Sequence, residues 1–95
     1  MRNNQVSIGD AIREWITEKR LNEPILQSKI VEAWSRVMGE PIAKHTKNIV
    51  FRNGRLYITV SHPALKQELF YSRSTIMNTF NQEIKETAIQ EVVIY

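Results

Sequence analysis

The chain has 95 residues, 42% hydrophobic and 24% charged, with a net charge of +3. That is the length of one domain, residues 1–95, with a modest core. With no cysteine it can build neither a disulfide framework nor a thiolate metal site, and no apolar run approaches the about 20 residues of a membrane helix.

Residues 1–5 are polar and lead into no apolar segment, so no secretory signal is read there and the cytoplasm is the expected compartment. Ser7 followed by Asp10 resembles a capping box and opens a first helix. Its apolar residues, Ile8, Ala11, Ile12, Trp15 and Ile16, have the spacing of one helical stripe. Lys19 and Arg20 suit its last turn. A turn is expected at residues 21–23, with Pro24 as the first residue of a second helix, where its missing N–H costs nothing. The second stripe is Leu26, Ile30, Ala33, Trp34 and Val37, and Gly39 with Pro41 ends it. Both Trp15 and Trp34 lie on apolar stripes and read as core. Residues 41–44 have room for one more short turn.

Residues 46–52 and 55–60 flank Asn53-Gly54. Both turn residues tolerate positive φ, so the segment reads as a two-residue β-hairpin. Such a turn fixes the register: Arg52 opposite Arg55, Phe51 opposite Leu56, Val50 opposite Tyr57, Ile49 opposite Ile58. Ile49, Phe51, Leu56 and Ile58 then face inward, and Asn48, Val50, Arg52, Arg55, Tyr57 and Thr59 outward. The apolar Val50 and Tyr57 on that outer face call either for a covering helix or for a partner. Ser61 is read as the cap of a third helix with Pro63 in its first turn and a stripe of Leu65, Leu69, Ile76, Phe80 and Ile84, weakened at residues 72–75. Residues 90–95, with Val92, Val93 and Ile94, form a third strand. The order is ααββαβ, an α+β fold with a small three-stranded sheet packed on helices.

Catalysis finds little to stand on. The glycines are isolated, so no phosphate loop exists. His45 and His62 fit no metal-ligand spacing, and no serine sits in a nucleophile elbow. His45 reads as a corner residue bonded to backbone. No enzyme, metal or cofactor is expected. The charge is more telling. Residues 36–73 hold seven basic residues against two acidic ones, net +5, whereas residues 1–35 are neutral and residues 74–95 are net −2. Such asymmetry points to a polyanion. Two arginines directly opposite each other repel by roughly a few tenths of a kcal/mol, a cost that a bound phosphate reverses. The candidate nucleic-acid-binding residues are Lys44, Lys47, Arg52, Arg55, Tyr57 and Lys66, with Tyr57 offering a face for a base. The competing reading is a protein-docking domain with no nucleic-acid affinity, using Val50, Tyr57 and the helices.

Four segments in order carry a family likeness: Trp34-Ser35-Arg36-Val37-Met38-Gly39; Ile42-Ala43-Lys44-His45-Thr46; Asn53-Gly54-Arg55-Leu56-Tyr57-Ile58-Thr59-Val60; and Ser61-His62-Pro63-Ala64-Leu65-Lys66-Gln67-Glu68-Leu69. Over residues 25–83 the chain resembles the DciA-like bacterial family, formerly a domain of unknown function, which includes loaders of the replicative helicase. The resemblance implies a KH-like fold, binding to a DNA or RNA backbone, and the replicative helicase as partner. The Gly-x-x-Gly loop with which KH domains clamp a strand is missing, which leaves salt-sensitive backbone binding by the hairpin.

Overall fold

The computed structural model describes residues 7–95, and the side chains of all of these except residues 16–21. The reading of residues 1–5, and the roles given to the Ile16, Lys19 and Arg20 side chains, lie outside it.

Ser7 caps the first helix as expected, its Oγ accepting from the Asp10 N–H at 3.1 Å. The helix does not stop at the expected turn. It runs unbroken as α1, Ile8–Met38, with Pro24 inside it. An internal proline removes one helical hydrogen bond and crowds the carbonyl one turn earlier. The packing that follows it outweighs this local preference, because Leu26, Ile30, Ala33 and Trp34 are all buried in the core. Local signals favour a turn at residues 21–23, and tertiary contacts override them. Gly39 stops α1 as expected, at φ 92°, and its N–H donates to the Ser35 carbonyl. The short turn foreseen after it is α2, Glu40–Ala43.

Strands β1 (Thr46–Arg52) and β2 (Arg55–Val60) pair antiparallel in the register derived from the turn, at all four pairs. Ser61 does not cap the next helix. His62 holds that position, and the Ser61 Oγ instead donates to the His45 carbonyl at 3.2 Å, tying the two ends of the hairpin together. The third helical stretch breaks at Ser72 into α3 (Pro63–Tyr71) and α4 (Arg73–Ile84). Strand β3, Glu91–Ile94, pairs parallel with β2, so β2 is the central strand of a mixed three-stranded sheet. The side chain of Asn81 in α4 sets up β3 by bonding both backbone groups of Ile89, at 2.9 and 3.0 Å.

One cluster forms the core. Phe51, Leu56, Ile58, Val92 and Ile94 from the inner sheet face meet Leu26, Ile30 and Trp34 of α1 and Leu69, Ile76, Phe80 and Ile84 of α3 and α4. Trp34 stacks on Phe80 with centroids 5.2 Å apart. Its indole N–H donates to Thr46 Oγ1 at 2.9 Å, and that hydroxyl donates to the Ile42 carbonyl at 2.8 Å. The chain joins α1, α2 and β1 and leaves no buried indole N–H without an acceptor.

Trp15 departs from expectation. It is 56% exposed, and Ile8 and Ile12 on the same stripe are 81% and 51% exposed. Every described side chain from Ile8 to Trp15 is exposed. The first turns of α1 therefore present their apolar stripe to solvent instead of to the core.

Candidate nucleic-acid interface

The hairpin turn has positive φ at both central residues, 53° at Asn53 and 80° at Gly54. The geometry suits the right-handed twist of the strands and puts Arg52 beside Arg55. A side chain at residue 54 would be strained by its φ, and its Cβ would stand 3.4 Å from Gln90. The Gly54 carbonyl accepts from the Gln90 and Glu91 N–H groups at 2.7 and 3.2 Å, which seats the start of β3 against the turn.

Strand alternation organises the outer face into rows. One row is Val50, Tyr57 and Val93, and the row beside it is Arg52, Arg55 and Glu91. On the other side lie Asn48 and Thr59, with Tyr95 continuing β3. Tyr95 keeps the ladder going, because its N–H donates to Ile58 O at 2.8 Å and its carbonyl accepts from Val60 N at 3.0 Å. None of these outer residues is buried. The helices pack on the opposite face, so of the two explanations for Val50 and Tyr57 the covering helix drops out among the described residues. The Tyr57 and Tyr95 rings lie nearly parallel, 13° apart in plane with centroids at 6.1 Å.

Two carboxylates temper the arginines. Arg55 Nε lies 3.0 Å from Glu91 Oε1, with both side chains more than half exposed. The Tyr57 phenol, by hydrogen bonding and then by charge, and Glu91 after it, hold the Arg55 guanidinium above its ordinary value. Glu23 of α1 accepts the Asn53 N–H at 2.6 Å. Arg52 forms no ion pair among the described residues. Gln27 of α1 accepts the Phe51 N–H at 2.8 Å, so α1 also covers part of the free edge of β1 and blunts its capacity to pair with another strand.

The six candidate residues do not form one cluster. Arg52, Arg55 and Tyr57 share the outer face at the hairpin tip. Lys44 is the C-cap of α2, and Lys47 lies where the register slips at the start of β1. Five steps along the strand take Lys47 to Arg52, about 17 Å. Lys66 is exposed on α3. Sequence reasoning passed over Glu23, Glu91 and Tyr95. Alternation along residues 91–95 was the available signal for Glu91, Val93 and Tyr95 sharing a face. It also passed over the α3–α4 junction, where Arg73 lies 3.8 Å over the Phe70 ring beside the exposed Tyr71.

His45 stands at the α2–β1 corner, and its backbone does the bonding there: its N–H donates to Ile42 O at 3.2 Å and its carbonyl accepts from Ser61 N at 2.9 Å. The His45 and His62 rings are 5.5 Å apart. Among the described residues no three His, Cys, Asp or Glu side chains gather to hold a metal ion, and no helix is long and apolar enough to cross a membrane.

None of the curated proteins and none of the solved structures matches this chain. A family model does: Dna[CI] antecedent, DciA, over residues 7–94. That family is linked to DNA replication and helicase loading, and is a loader or accessory family with no known catalytic activity. The match covers the indole-to-threonine link, the Asn-Gly hairpin and the parallel third strand alike, and the chain belongs to the DciA family.

Proposed function

We propose that this domain is a non-catalytic nucleic-acid-binding module, accessory to DNA replication or helicase loading in the bacterial cytoplasm. The observation that carries the reading is an uncovered outer sheet face with Arg52 and Arg55 side by side at its tip. Two guanidinium groups placed together without cover repel each other, and a phosphate between them turns that repulsion into attraction. Glu91 and Glu23 offset part of the tip charge. Beyond the tip, Lys44, Lys47 and Lys66 add positive charge that would guide a DNA or RNA backbone rather than read its sequence. A KH-like fold belongs to the same reading, without the glycine clamp, since α3 and α4 join through Tyr71-Ser72-Arg73.

A salt titration against labelled nucleic acid tests it. Affinity at low salt should fall linearly in log–log form as salt rises. Arg52→Glu with Arg55→Glu should lower affinity at least tenfold and leave the melting temperature near that of the parent. Unchanged affinity in the double variant would remove the hairpin from the interface.

The exposed Ile8, Ile12 and Trp15 on α1 favour a second reading, docking on a protein such as the replicative helicase. Ile8→Asp with Ile12→Asp should then abolish capture of purified helicase while leaving nucleic-acid affinity unchanged.

A further inference from the structure

We infer that the outer sheet face is a stacking platform for unpaired bases, so that the domain prefers single-stranded over duplex nucleic acid; this rests on the nucleic-acid reading above and extends it from phosphates to bases. Tyr57 and Tyr95 are near-parallel rings on adjacent strands, and Tyr95 is 54% exposed. Centroids 6.1 Å apart are too far for full face-to-face overlap, and Tyr57 is only half-buried on a face that no described helix covers. Val50 and Val93 flank Tyr57 in the same row and extend the apolar floor across all three strands, a width of about 10 Å. That is room for two or so bases.

Geometry selects the strand type. In a duplex, successive bases of one strand stand about 3.4 Å apart along the axis and are locked in the stack. Two bases seated on rings 6.1 Å apart must be drawn away from each other. An unpaired strand allows this and a duplex does not. The charges fix where the backbone runs. On the β3 side of the tip, Glu91 engages Arg55 and repels phosphate. On the β1 side, Arg52 forms no ion pair among the described residues. Glu23 of α1 stands at the β1 edge, bonded to the Asn53 N–H, so the phosphates meet Arg52 on the outer face rather than at the strand edge, and the bases lie inward over Tyr57 and Tyr95.

The test compares three labelled probes on the full chain: a 15-nucleotide oligo-dT, an abasic strand of the same length, and a duplex. Oligo-dT should bind at least about tenfold more tightly than the abasic strand. Tyr57→Leu and Tyr95→Leu should each weaken oligo-dT binding about 5- to 150-fold, the range of one base–aromatic stack. Both should leave the abasic affinity and the salt slope in place, and Tyr→Phe at either position should retain binding. Equal affinity of the parent for oligo-dT and abasic strand overturns the platform without needing any variant. So does unchanged oligo-dT binding in the leucine variants. If Arg52→Glu with Arg55→Glu still weakens binding in those cases, the phosphate reading stands alone. No binding of any probe at low salt overturns both.

Discussion

The two halves of α1 carry the same kind of pattern and meet different fates. Ile8, Ile12 and Trp15 repeat at helical spacing, as do Leu26, Ile30, Ala33 and Trp34. Yet Trp15 is 56% exposed and Trp34 only 2%. Trp34 has Phe80 against its ring and Thr46 to accept its N–H, both supplied by segments far along the chain. No described core residue lies under the first turns. Periodicity reports that a helix forms and that one face wants cover. It does not report what provides the cover.

The largest test of this contrast is truncation of each tryptophan. Trp34→Ala should cost about 3–5 kcal/mol, the usual loss for a large buried aromatic. It also leaves the Phe80 ring without its neighbour. Trp15→Ala should shift stability by no more than about 0.5 kcal/mol, as exposed substitutions do. Urea unfolding of the two variants measures both. A comparable loss at Trp15 would mean that the first turns are packed in solution, against a second copy or a partner, and the contrast would dissolve.

Pro24 sits near the boundary between the halves, and Leu26 is the first buried residue after it. Proline in a helix interior is about 3 kcal/mol less favourable than alanine, offset in part by the greater freedom that alanine gives the unfolded chain. Pro24→Ala should therefore stabilise the domain, by about 1–2 kcal/mol if the two halves unfold together. If they unfold separately, the gain should appear as added helicity in the first turns with an unchanged main transition. Circular dichroism and urea melts together sharpen the comparison by showing whether α1 is one cooperative unit.

What could be read from the sequence follows the same division between near and far. The hairpin register was legible because a two-residue turn leaves only one pairing, and its inner and outer faces followed at once. Gly39 and the break at Ser72 were legible from local chemistry. The fused helix was not, since Pro24 read alone favours a helix start and only the buried side chains after it argue otherwise. Ser61 was a reasonable cap in isolation, but its hydroxyl found the His45 carbonyl across the base of the hairpin. At the candidate site, Arg52, Arg55 and Tyr57 were found from the hairpin alone. Glu91, Val93 and Tyr95 join that face only because β3 pairs parallel with β2, a long-range choice that no residue near the hairpin announces. The neutralising partners of a charge patch are thus harder to read than the patch itself.

The smallest expected effect lies at the exposed end of α1. Arg13, and secondarily Ser7, hold the Asp10 carboxyl below its ordinary value of 3.8. A carboxylate in the first turn also complements the helix dipole. Because the folded value is the lower one, the stabilisation is fully present above the unfolded value and is lost as the pH falls through the folded one. Asp10 is exposed, so solvent screening keeps the contribution slight. Acidification through the carboxylate range should first fray the turns around Ile8 and Ile12, with the near-ultraviolet signal of the buried Trp34 unchanged. Following the Asp10 carboxyl by NMR, Arg13→Ala should move its titration back toward the ordinary value. If the Trp34 signal instead falls in step with Asp10 protonation, the exposed and buried halves of α1 are coupled, and the first turns owe their structure to the core after all.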